Sequence, residues 1–90
     1  MTDNLSPADV EAVARGLTDA QRTAIRRARP FRHDHRCRML IPTYRDGGRL
    51  ARSLVDLGMV EQVFEGFALT ALGRTVHDLL AVRQHLQENR

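Results

Sequence analysis

The stretch from Thr43 to Glu61 restricts the possible folds of this chain more than any other, because it encodes a helix with two opposed faces followed by a stop. At about 100° per residue, Arg45, Arg49, Arg52 and Asp56 form one narrow stripe, while Leu50, Leu54 and Leu57 lie nearly opposite. One face requires a core and the other suits an anion. The spacing predicts a helix over 44–57 with Thr43 or Asp46 as its cap, although Gly47 and Gly48 weaken its first turn by up to about 1 kcal/mol each. Gly58 stands where helices commonly end in a left-handed residue. Val60 to Leu69 then reads as a short hairpin turning at Gly66.

Two further helix starts precede this stretch. Ser6-Pro7-Ala8-Asp9 combines a capping hydroxyl, a proline suited to the first turn and a carboxylate at the positive end of the dipole, predicting a helix over 6–15. Thr18 and Gln21 have the spacing of a capping box, and the helix they open should end by Arg29 because Pro30 disfavours a helical residue before it. Residues 31–42 have no period, so a one-turn helix and a short strand both fit them. Thr70 caps a last helix over 71–88, with Leu72, Val76, Leu79, Leu80, Val82 and Leu86 gathered on one side. The helix is long for so small a domain, and Leu79, Val82 and Leu86 are therefore expected to pack on a second copy of the chain.

The fold class expected from these elements is mostly α with a small β-hairpin, in a single domain over residues 1–90. Aromatic residues are scarce (Phe31, Tyr44, Phe64 and Phe67), so the core should consist mainly of aliphatic side chains between helices. Phe64 and Phe67 flank the hairpin turn and are expected to fold back onto that core. Cys37 is the lone cysteine, which excludes an intramolecular disulfide. No apolar run is long enough for a membrane span and the N-terminus lacks the pattern of a signal peptide, so a cytoplasmic protein is expected.

All fourteen basic residues are arginine. From Arg15 to Arg52, eleven arginines face three aspartates, a local balance of +8 within a chain of net charge +3. A basic middle between two mildly acidic ends suits a polyanionic partner. On the helix, Arg45, Arg49 and Arg52 could pair with guanine in a major groove, each bidentate pair giving about 1–3 kcal/mol of discrimination. Thr43 and Tyr44 would approach the duplex beside them. Arg22, Arg26, Arg29, Arg32, Arg36 and Arg38 suit phosphate contacts, which position a protein without reading sequence.

His33, His35 and Cys37 are metal-ligand types, yet no fourth ligand of comparable quality lies near them in sequence, so neither metal nor cofactor is expected. Nothing marks an oxyanion hole or an orienting partner for a Cys–His nucleophile. The expectation is a binding protein, not an enzyme.

From Thr18 to Leu80 the order of elements resembles a winged helix-turn-helix domain of bacterial and phage transcription regulators, MarR-like in the recognition helix, wing and following helix. The likeness is carried by Leu17-Thr18-Asp19-Ala20-Gln21, by Arg49 to Glu61 with its Leu57-Gly58-Met59-Val60-Glu61 step, and by Leu69-Thr70-Ala71-Leu72-Gly73. It implies a double-stranded DNA-binding homodimer acting in transcription regulation, with the 44–57 helix in the major groove. The hairpin departs from that pattern, carrying Glu61, Phe64 and Glu65 where such wings carry Arg or Lys. That departure supports the alternative function, a protein-interaction module that acts as an adaptor or inhibitor on an acidic partner surface. The 60–69 hairpin is a further candidate seat for a protein partner.

Overall fold

The structure of the protein, a computed structural model, describes residues 6–31 and 38–88. The order is α1 (Pro7–Gly16), α2 (Asp19–Arg26), β1 (Arg29–Pro30), β2 (Met39–Leu40), α3 (Arg49–Asp56), β3 (Val60–Val63), β4 (Gly66–Leu69) and α4 (Ala71–Glu88). Among the described residues this is an α+β fold with four helices and one antiparallel sheet of order β1-β2-β4-β3. The sheet is larger than the expected hairpin. Its extra strands are two residues each and exist only through distant partners: Arg29 and Pro30 align with Leu40 and Met39, and Leu40 aligns with Ala68. Pro30 has no N–H for a ladder and accordingly occupies the edge strand. The second helix therefore ends at Arg26, short of the expected Arg29.

Both early caps form. The Asp9 amide donates to Ser6 Oγ at 3.2 Å and the Gln21 amide to Thr18 Oγ1 at 3.1 Å, each with the reciprocal bond back to the cap. Arg22 closes the other end of α1 by donating to the carbonyls of Leu17 at 2.7 Å and Ala14 at 3.3 Å. The core brings Val10, Ala14 and Ile25 of the first two helices against Leu54 of α3 and against Val76 and Leu80 of α4. Burying an aliphatic side chain of this kind contributes about 1.5–3 kcal/mol.

The 58–73 segment joins α3, the hairpin and α4. Gly58 donates to the Val55 carbonyl at 2.9 Å and Met59 to the Leu54 carbonyl at 2.9 Å, the paired bonds that end a helix through a left-handed residue. Thr70 links these elements, and its carbonyl accepts from the Arg74 amide at 2.8 Å. Its amide donates to the Met59 carbonyl at 2.9 Å, its hydroxyl donates to the Gly58 carbonyl, and Oγ1 accepts from the Gly73 amide at 3.1 Å. The cap of α4 is thus also the clamp that holds α3's stop against the sheet.

Candidate nucleic-acid interface

α3 begins at Arg49, five residues later than the helical stripe implies. Gly47 and Gly48 have φ of +71° and +82°, a left-handed conformation that interrupts the period. Asp46 replaces the missing turn: Oδ1 accepts from the Gly48 amide at 3.0 Å and Oδ2 from the Leu50 amide at 2.8 Å. Arg45 is therefore exposed on the lead-in rather than on the helix. Leu54 is buried, Leu50 and Ala51 pack partly against the core, and Arg49 and Arg52 are exposed. Ser53 is tied to α2 by a bond from Gln21 Nε2 at 3.1 Å, which fixes the rotation of α3 about its axis.

The Leu50 amide, then the Gly48 amide, holds the Asp46 carboxyl below its ordinary pKa, with the Arg49 charge acting the same way. A depressed folded-state pKa contributes stability above the unfolded value and loses it as pH falls through the folded one. Protection of the Gly48 and Leu50 amides, measured against intrinsic exchange at the same pH, should accordingly be high at neutral pH and fall only as the pH drops below the ordinary aspartate range. Asp46→Ala should show the reduced protection at every pH, and unchanged protection in that variant would refute the capping role.

The remaining arginines divide by what already holds them. Arg26, Arg27 and Arg29 are exposed, and Arg26 Nη2 donates to Thr23 Oγ1 at 3.3 Å. Arg22 is committed to the end of α1 and pairs with Asp19, so it braces the fold instead of facing a phosphate. Arg38 pairs with Glu65 at 3.0 Å, bracing the hairpin turn from β2. The Arg38 commitment was not legible locally, since a turn 27 residues away supplies the partner. Arg32 and Arg36, together with His33, His35 and Cys37, lie outside the described residues.

Thr43 is exposed, but the Tyr44 hydroxyl is buried and has no hydrogen-bond partner among the described residues. A buried unpaired hydroxyl costs about 1–3 kcal/mol. Tyr44→Phe should therefore raise the unfolding free energy by about 1 kcal/mol in urea titration. A loss of stability would show that the hydroxyl is satisfied in solution.

The hairpin corrects one expectation. Phe67 packs against the core, whereas Phe64, one of the two residues of the turn, is fully exposed. The signal was available, since pairing of Val63 with Gly66 leaves Phe64 and Glu65 as a two-residue loop with no sheet face to return to. On α4, Leu79 packs partly against its own core and Val82 is 57% exposed, while the Leu86 side chain lies outside the described residues. No described helix is long and apolar enough to cross a membrane.

Openings surround the approach to α3, one of about 340 Å³ lying against the helix itself between Gly48, Arg52 and Phe67. A groove of about 520 Å³ is lined by Arg27, Arg29, Leu40, Ile41 and Pro42. A smaller cavity of about 130 Å³ shares Ile41 and Pro42 and reaches Asp46, Gly48, Glu65 and Gly66. The hairpin turn, the lead-in to α3 and the arginine-rimmed groove are consequently neighbours. No protein-family model, curated protein or solved structure matches the chain.

Proposed function

We propose that the protein binds double-stranded DNA as a small cytoplasmic transcription regulator and has no enzymatic activity of its own. The observation that carries this reading is the orientation of α3, which turns Leu50 and Leu54 toward the core and leaves Arg49 and Arg52 exposed. Eight residues make a helix about 12 Å long, short enough to lie within a major groove. Arg45 precedes the N-terminal end of α3, the end that helix-turn-helix proteins direct to base edges, and Arg26, Arg27 and Arg29 are available to phosphates. The order β2-β4-β3 beside α3 agrees with the winged-helix resemblance. The segment before α3 departs from it, being a strand and a turn over residues 39–48 where the resemblance implies a helix.

Anisotropy titration against a mixed-sequence duplex tests the proposal. With four to six phosphates neutralised, log K should fall against log salt with a slope of about −4 to −5. Absence of binding even at about 50 mM salt would overturn it. The exposed Phe64 supports a second reading, a module that docks on a protein. A protein partner retained in stoichiometric amount, without DNA, is the outcome that would favour that alternative.

A further inference from the structure

Phe64 is an anchor without a seat. Its ring is fully exposed, yet the turn that carries it is held by the four residue pairs of the β3–β4 ladder and by the Arg38–Glu65 ion pair. A large aromatic side chain on a rigid support loses little freedom when it docks, and burying it removes about 150–250 Å² from water. The hairpin around it carries Glu61 and Glu65 and no basic residue between Val60 and Leu69. Its complement is a pocket with an apolar floor and a basic rim.

The chain itself provides such a pocket. The groove of about 520 Å³ has Leu40, Ile41 and Pro42 as its apolar lining and the exposed Arg27 and Arg29 as its basic residues. We infer that a second copy of this chain is the occupant: the Phe64 turn of one protomer enters the Arg27/Arg29 groove of its partner, with Glu61 meeting the guanidiniums. A protomer cannot fill its own groove in this conformation, because its Phe64 ring is wholly in solvent. Ile41 and Pro42 line both this groove and the cavity that reaches Glu65 and Gly66, so donor and acceptor lie side by side on one protomer. A twofold axis between them lets both contacts form together, which closes the assembly as a dimer instead of propagating a chain. This surface is separate from the α4 side chains Leu79 and Val82; because it takes up Arg27 and Arg29, DNA contact by the dimer would rest on Arg26, Arg45, Arg49 and Arg52.

Sedimentation equilibrium of the full chain from about 1 µM to 1 mM tests it. Wild type should dimerise, and Phe64→Ala should weaken dimerisation at least about tenfold while leaving the circular dichroism spectrum unchanged. Arg27→Glu/Arg29→Glu should do the same. The decisive measurement mixes the two variants, since the Phe64→Ala copy retains a groove and the other retains a tip. One intact contact then forms, and a heterodimer should appear at concentrations where each variant alone is monomeric. A wild type monomeric up to about 1 mM, a Phe64→Ala variant that dimerises normally, an Arg27→Glu/Arg29→Glu variant that dimerises normally (the sign of tip-against-tip packing), or a mixture that fails to associate would each overturn the inference.

Discussion

Gly73→Ala should cost the chain most of its stability, lowering the midpoint of thermal unfolding by at least about 15 °C or preventing folding altogether. Gly73 is in the first turns of α4, where alanine would ordinarily gain up to about 1 kcal/mol in helix propensity. Contact decides the sign. A Cβ on Gly73 would fall 1.9 Å from the Met59 carbonyl oxygen, 2.9 Å from its carbon and 3.3 Å from Leu69 Cδ2. The Met59 carbonyl is also the acceptor for the Thr70 amide, and Met59 is buried and donates to Leu54, so it cannot move aside without opening the clamp between α3 and α4. Overpacking costs about 1–3 kcal/mol where side chains can adjust, and here the obstacle is backbone. For 90 residues the whole folding free energy is about 5–13 kcal/mol. The control is Gly16→Ala at the end of α1, where nothing lies within 4 Å and φ is not positive. Calorimetry should find it neutral or slightly stabilising. A Gly73→Ala variant as stable as Gly16→Ala would mean that α4 does not approach Met59 this closely.

Gly73 also shows which parts of the fold were legible in the sequence. Local chemistry was readable at the helix ends: the Ser6–Asp9 and Thr18–Gln21 caps, the Gly58 stop and the Thr70–Gly73 cap all occur where their spacing placed them. That glycine alone fits at position 73 follows instead from the approach of Met59, which no local pattern encodes. β1 was hidden for the same reason, and β2 was open only as one of two alternatives for residues 31–42, since two residues show no period and their pairing is entirely tertiary. The start of α3 was misplaced because the arginine stripe has helical spacing even across Gly47 and Gly48, and the left-handed conformation of those residues outweighs the pattern. At the candidate site, Arg49 and Arg52 were recognisable from their opposition to Leu50 and Leu54. The engagement of Arg22 with the end of α1 and of Arg38 with Glu65 was not, because charge counting does not show which guanidiniums the fold itself uses.

The double substitution Arg49→Ala/Arg52→Ala should weaken binding to duplex DNA by about 10²–10³-fold, the sum of two contacts of about 1.5–2 kcal/mol each. Both side chains are exposed on α3, and alanine is at least as good a helix former, so unfolding free energy should change by no more than about 0.5 kcal/mol. The loss would then be a loss of contact. Replacing the same pair by lysine separates two roles, because an ammonium keeps the charge for a phosphate but lacks the planar fork that pairs with guanine. If α3 reads bases, the lysine pair should retain most of the affinity for mixed-sequence DNA, keep its salt slope, and lose preference among sequences. Arg45→Ala should behave differently, since Arg45 sits on the lead-in beyond the Gly47–Gly48 interruption. Loss of one phosphate contact there should reduce the salt slope by about 1 and weaken all sequences alike. Unchanged binding by the alanine pair would remove α3 from the interface and leave the arginines of α2 and β1 to account for any affinity that remains.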